Sequence, residues 1–175
     1  MNYTLNIVEH VPVLRYLAAR ARVILELGTE TGLGSTKAFE EGFAMNPGGD
    51  LWISIDWDAS KLTRPGDKRW NLVIGDTTDR ATLDLVLWKF EVLFWNIGYP
   101  DLIFIDTHHT VEQMTKELDI WQALGVDPTI WVFHDTWMEG RYNLMTDVIK
   151  EFASKQGMRY LDYSKSCNGL GMVFK

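Results

Sequence analysis

Two short clusters gather the side chains able to move a proton or hold a cation: Asp106-Thr-His-His109 and His134-Asp135-Thr136. Between them they contain three of the chain's four histidines, a concentration that an even scatter would not give. Two carboxylates and one or two imidazoles brought together can bind a divalent ion, the oxygens favouring Mg2+ or Mn2+ and the imidazole a transition metal. Without a metal the same groups form an acid–base pair. A neighbouring carboxylate stabilises an imidazolium, which suits a histidine such as His109 to take a proton from a hydroxyl near neutral pH. The two chemistries are compatible, since a cation would acidify the hydroxyl that His109 deprotonates. A third feature lies upstream, in Val23-Ile-Leu-Glu-Leu-Gly-Thr-Glu-Thr-Gly-Leu-Gly-Ser-Thr36, where an apolar run of strand length ends in a glycine-rich turn and a Ser/Thr pair suited to start a helix. Such a turn lets backbone amides approach a ligand closely.

Bringing these groups together requires strands that end at one edge. Hydrophobic periodicity predicts helices over 11–22, 36–45, 83–97 and 143–156, and a further helix opened by Thr110 with Gln113 completing a capping box. It predicts strands over 23–27, 51–56, 71–75, 102–105, 130–133, 158–163 and 170–174. Strands alternating with helices imply a parallel sheet covered on both faces. The last connection is too short for a crossover helix, so the final two strands should pair antiparallel. In open α/β sheets ligands bind beyond the carboxyl ends of the strands. Gly28, Gly32, Gly34, Ser35 and Thr36 fall there, as do Asp56, Asp58, Gly75-Asp76 and the two His/Asp clusters. Plainer duties compete for several of them. Asp56 and Asp76 can be strand-end caps, Thr110 a helix cap, His108 a structural or solvated neighbour of His109, and Trp57, Trp70 and Trp137 core residues. Glu26, inside a buried strand, must find hydrogen bonds or a positive partner.

The length of 175 residues predicts one domain with one core. A hydrophobic content of 46% with eight Trp excludes a disordered class, and a net charge of −7 without any basic block argues against nucleic acid as partner. The lone Cys167 and the lack of an export signal give the cytoplasm as the expected compartment. The apolar segment 83–97 is short of the ~20 residues a bilayer needs and carries Asp84, Lys89 and Glu91, so no membrane span is expected. A helix apolar on nearly every face still has to be covered, and a homodimer is one way to cover it.

With these residues assembled, the chain resembles the class I S-adenosylmethionine-dependent methyltransferases from about Val23 to Lys175, residues 1–22 forming a helix ahead of that core. The resemblance implies an α/β, Rossmann-like three-layer sandwich. Its sheet would be seven-stranded and mostly parallel, in the order 3-2-1-4-5-7-6 with the last strand antiparallel, and S-adenosylmethionine would be the cofactor. Glu26-Leu-Gly28 with Thr29, Gly32 and Ser35 is similar to the family's first motif, which contacts the methionine moiety. Asp56 matches the acid on the ribose hydroxyls, Gly75-Asp76 falls where the adenine is contacted, and Asn168-Gly-Leu-Gly-Met-Val-Phe-Lys175 resembles the closing strand.

Within that family, Phe104-Ile-Asp-Thr-His-His-Thr110 and Val132-Phe-His-Asp-Thr136 look most like the metal-dependent O-methyltransferases of natural-product sugars and their cephalosporin-hydroxylase-like relatives. That likeness implies Mg2+ or Mn2+ held by Asp106 and Asp135, with His134 standing where a third, carboxylate ligand is common. It also implies His109, beside Asp106, as the base. The chain departs from the pattern in three places. Glu30 replaces the central glycine of the first motif, Gly125-Val-Asp-Pro128 replaces a Pro-Gly-Gly turn, and only residues 1–22 precede the first strand. The 57–70 loop, the 137–143 loop or a second subunit must then read the acceptor.

The expected activity is metal-assisted methyl transfer to a hydroxyl of a small acceptor such as a sugar. The alternatives are a metal-independent transfer to nitrogen or oxygen through Asp106 and His109, and a non-catalytic subunit that keeps the pocket for assembly. A NAD-binding protein is disfavoured, because Gly28-x-x-x-Gly32-x-Gly34 lacks the dinucleotide spacing.

Overall fold

The β1, β2 and β4 strands (Val23–Leu27, Leu51–Asp56 and Leu102–Ile105) are buried at every residue, which explains why they read as apolar runs rather than alternating ones. The computed structural model describes residues 3–4, 6–93, 98–125, 128–138 and 142–175. The remaining strands are β3 (Trp70–Ile74), β5 (Ile130–His134), β6 (Arg159–Ser164) and β7 (Leu170–Phe174). They form one seven-stranded sheet in the order β3-β2-β1-β4-β5-β7-β6. Strands β1 to β5 pair in parallel, so their carboxyl ends share an edge, and β7 runs antiparallel between β5 and β6.

Each face of the sheet carries a helical layer. On one side Ile24, Trp52, Phe104 and Val132 pack with α1 (Val11–Ala18) and α2 (Ser35–Ala44) through Leu14, Phe39 and Phe43. On the other, Leu25, Ile53, Ile103 and Trp131 pack with α3 (Arg80–Leu93), α4 (Val111–Trp121) and α5 (Tyr142–Lys155). The expected three-layer architecture and strand order are both present.

The differences from the periodicity have local causes. The first helix stops at Ala18 instead of continuing to 22, because the backbone of Arg22 is drawn to the entry of the sheet. Its N–H donates to Asp101 Oδ2 at 2.5 Å and its carbonyl accepts from the Asp50 N–H at 2.8 Å. Strand β3 begins at Trp70, in register with Trp52, rather than at 71. Helix α3 starts at Arg80 and buries Leu83 and Val86 while Leu85, Trp88 and Val92 stay exposed; the remainder of the expected 83–97 helix, residues 94–97, lies outside the described residues. In α4 Met114, Leu118 and Trp121 are buried as the spacing requires, but Val111 is exposed. The capping box is half made. Thr110 Oγ1 accepts from the Gln113 N–H at 3.1 Å, but the Gln113 side chain turns away to Glu117 and Thr77. Among the described residues no helix is long and apolar enough to cross a membrane.

Candidate functional site

The carboxyl ends of β1 to β4 border a cavity of about 680 Å³, within the size range of small-molecule sites. The turn after β1 forms one side of it. Gly28 has φ +89, and a Cβ there would overlap the Asp106 carbonyl, so only glycine lets this turn pass so close to the end of β4. The next residues fold back onto Asp56 at the end of β2. Asp56 Oδ2 accepts from the Thr29 N–H (2.8 Å), the Thr29 hydroxyl (2.8 Å) and the Glu30 N–H (3.0 Å), while Oδ1 accepts from the Asp58 N–H (3.0 Å). Glu30 itself sits at φ +49, the position where the usual first motif has glycine. Gly28, Thr29, Ser35, Asp56 and Asp76 all line the cavity.

Two expected cofactor residues do not. Glu26 is fully buried beneath the turn, where its carboxylate accepts from the hydroxyls of Ser35 (2.7 Å), Thr36 (2.8 Å) and Ser54 (2.5 Å). Burial pushes its pKa up to about 7 against the lowering effect of those bonds. Its place is structural: it ties β1 and β2 to the first turn of α2. Gly32 faces the 57–70 loop instead of the cavity, since a Cβ would lie 2.5 Å from the Thr63 carbonyl oxygen and 2.8 Å from Leu62 Cδ1. Gly34, just before α2, takes the place in the wall.

At the ends of β4 and β5 the geometry turns on one strained residue. Successive side chains of a strand point to opposite faces, yet His134 and Asp135 both reach Asp106, because Asp135 adopts φ +57 and breaks the alternation. One ligand atom from each of Asp106, His134 and Asp135 lies within 4.8 Å of the others. The His134 Nε2–H donates to the Asn6 carbonyl at 3.1 Å, which turns Nδ1 towards Asp106 Oδ1 (3.4 Å) and Asp135 Oδ2 (3.2 Å). Neither approach has hydrogen-bond geometry, and His134 Nδ1 and Asp135 Oδ1 are both buried without a hydrogen-bond partner.

Burial opposes charge on His134, but the Asp106 and Asp135 carboxylates outweigh it and push its pKa up to about 10. The position therefore favours a positive charge beside two carboxylates, and the orphaned Nδ1 and Oδ1 are donor atoms that a divalent ion would satisfy. The two carboxylates suit Mg2+ or Mn2+, and the imidazole, held from behind by a carbonyl, tilts the set towards Mn2+. His109 closes the cluster. Its Nε2 lies 2.9 Å from Asp135 Oδ2, and that hydrogen bond holds its pKa above the ordinary imidazole value against burial. Asp135 is thus the partner of His109, a pairing that sequence reasoning, which set Asp106 beside the histidine, did not find.

Asp106 and His109 line the cavity and face the same space as the glycine turn, whereas His134 and Asp135 are buried and are not among the residues that line it. Of the segments expected to read an acceptor, the 57–70 loop contributes Trp57, Asp58 and Lys61 to the wall, with Trp57 81% exposed. In the 137–143 loop, residues 139–141 lie outside the described residues, as do 126–127 of the turn before β5. Trp70 and Trp137 are held elsewhere, donating to Ser54 Oγ (2.8 Å) and Asp162 Oδ1 (2.7 Å). The unexpected wall is N-terminal. Thr4, Asn6 and Ile7 line the cavity, tied down by the Thr4 N–H to the Leu33 carbonyl (3.1 Å) and by the Asn6 carbonyl to His134. No sequence signal pointed to them, because their partners are distant in the chain. Gln113, Thr77 and Thr107 were also missed.

No family model and no curated protein matches this sequence. Solved structures do. The chain is similar to the Podospora anserina methyltransferase PaMTH1 with SAH bound, at 17% identity over 95% of this chain and 78% of that one, TM-score 0.61. It is similar to a Staphylococcus aureus protein provisionally named a caffeoyl-CoA O-methyltransferase, at 14% identity over 100% and 85%, TM-score 0.67. A third similar structure is CmcI with Mg and SAM, at 18% identity over 100% and 74%, TM-score 0.62. Strand order, glycine turn and neighbours agree: the chain has the fold of the S-adenosylmethionine-dependent methyltransferases.

Proposed function

We propose that this protein transfers a methyl group from S-adenosylmethionine to a hydroxyl of a small acceptor, with a divalent ion held by Asp106, His134 and Asp135. The observation that carries the reading is one cavity lined by the glycine turn, Asp56, Asp106 and His109, with the buried His134 and Asp135 meeting Asp106 and His109 behind that wall. When bound, the cofactor supplies a methyl group already activated on a sulfonium, whose C–S bond breaks as the new C–O bond forms, and the ion acidifies the acceptor hydroxyl. The chain's own work is alignment and proton removal. Asp56, fixed by Thr29 and Glu30, offers carboxylate oxygen to the ribose hydroxyls, and Gly28 lets the turn close over the methionine end. Asp135 orients His109 and stabilises the imidazolium formed when it takes the hydroxyl proton.

The His109–Asp135 ion pair also favours a second reading, metal-independent transfer, in which that dyad is the whole base. Calorimetry with S-adenosylmethionine and with SAH tests the cofactor; a folded protein giving heat with neither overturns the proposal. Transfer of labelled methyl to a panel of small hydroxylated acceptors, with EDTA and then Mg2+ or Mn2+ added back, separates the two readings. Turnover that EDTA leaves unchanged removes the ion.

A further inference from the structure

Glu117 lies within α4 with its carboxylate fully buried, and three donors converge on it. Oε1 accepts from the Thr77 hydroxyl and from Gln113 Nε2 (2.9 Å), and Oε2 accepts from the Thr107 hydroxyl (2.8 Å). Gln113 Nε2 also donates to Thr77 Oγ1 at 3.2 Å. A side-chain amide has two N–H donors and one carbonyl acceptor, so both donors of Gln113 are spent inside the wall. The amide cannot be turned round, because its oxygen would then meet the Glu117 carboxylate, acceptor against acceptor. This network is also why Gln113 does not close the capping box. Its Oε1 is left as an acceptor of fixed orientation on a residue that lines the cavity, and no donor among the described residues reaches it.

Asp76, next to Thr77 in the chain and in the same wall, has Oδ1 occupied by the N–H and hydroxyl of Thr78, both at 2.7 Å, which leaves its other oxygen as a second acceptor. Two acceptors in one wall, one on the residue before Thr77 and one on the residue whose amide donates to Thr77, complement a group with two N–H donors. The exocyclic amine of a purine is such a group; a 6-oxo purine would set a carbonyl against them. Resting on the cofactor reading above, we infer that Gln113 is a specificity residue for the nucleobase, its Oε1 accepting an N–H of the adenine 6-amino group beside Asp76. Glu117 is the positioning residue that points the amide.

Calorimetry of SAH and of its 6-oxo analogue S-inosylhomocysteine on the parent and on Gln113→Leu tests this. The parent should bind SAH at least about tenfold more tightly than the analogue, the worth of an acceptor left facing an acceptor. In Q113L the affinity for SAH should fall and the preference shrink, what remains of it being due to Asp76. A parent that binds both equally, or a Q113L that keeps the full preference, overturns the inference and leaves the cofactor reading standing. A parent that binds neither overturns both. If Q113L melts well below the parent, Gln113→Asn, which withdraws the amide from Glu117 while keeping its polarity, carries the same comparison.

Discussion

Replacing Glu26 with Gln tests how the glycine turn is anchored. Glu26 is fully buried against Ser35, Thr36 and Ser54, and burial raises its pKa from the ordinary 4.5 to about 7. Between those values the folded protein keeps a proton that the unfolded chain has released. Stability must therefore fall as the pH rises through this window and level off above it. Each pH unit is worth about 1.4 kcal/mol, so full ionisation costs the fold about 3 kcal/mol. Glu26→Gln keeps the shape and an acceptor oxygen for two of the hydroxyls but cannot ionise. Its new N–H donors shift stability by an amount that does not depend on pH. Urea unfolding of both proteins from about pH 5 to about pH 8 gives the difference profile, in which the titrations of His109, His134 and Glu117 cancel. The variant should gain about 2.5 kcal/mol on the parent across that range. Parallel profiles, or a parent that gains on the variant as the pH rises, would refute the assignment of Glu26 as a buried, proton-retaining anchor.

Asp56→Ala removes the acceptor proposed for the ribose and frees Thr29 and Glu30, so calorimetry should find SAH bound at least about tenfold more weakly; equal affinity would refute the ribose assignment. Gly28→Ala drives a Cβ into the Asp106 carbonyl at φ +89, and should cost about 2–3 kcal/mol, read as a lower thermal midpoint. An unchanged midpoint would mean that the turn has room that its geometry denies. His109→Ala should spare SAH binding and lower turnover by about 10²–10⁴. Because Asp135 helps His109 keep its proton, parent turnover should rise with pH through a value above the ordinary imidazole range, as the neutral base forms, and the variant should lack that limb. A variant that keeps both rate and limb would place the base elsewhere.

Sequence alone determined the frame. A strand covered on both faces must be largely apolar, so the parallel β1, β2 and β4 and the antiparallel β7 could be bounded to the residue, and parallel strands share a carboxyl edge, which put Asp56, Asp106 and Asp135 near one another. What only the tertiary structure decided is which partner each side chain takes. Glu26 is sealed below the turn, Gly32 packs on Thr63, Gln113 leaves its cap for Glu117, and His109 pairs with Asp135. The N-terminal Asn6 orients His134 from 128 residues away. Periodicity reports which face a residue presents, a local property of backbone repeat. Hydrogen-bond partners depend on a left-handed φ at one residue and on segments far apart in the chain, and no local pattern encodes either.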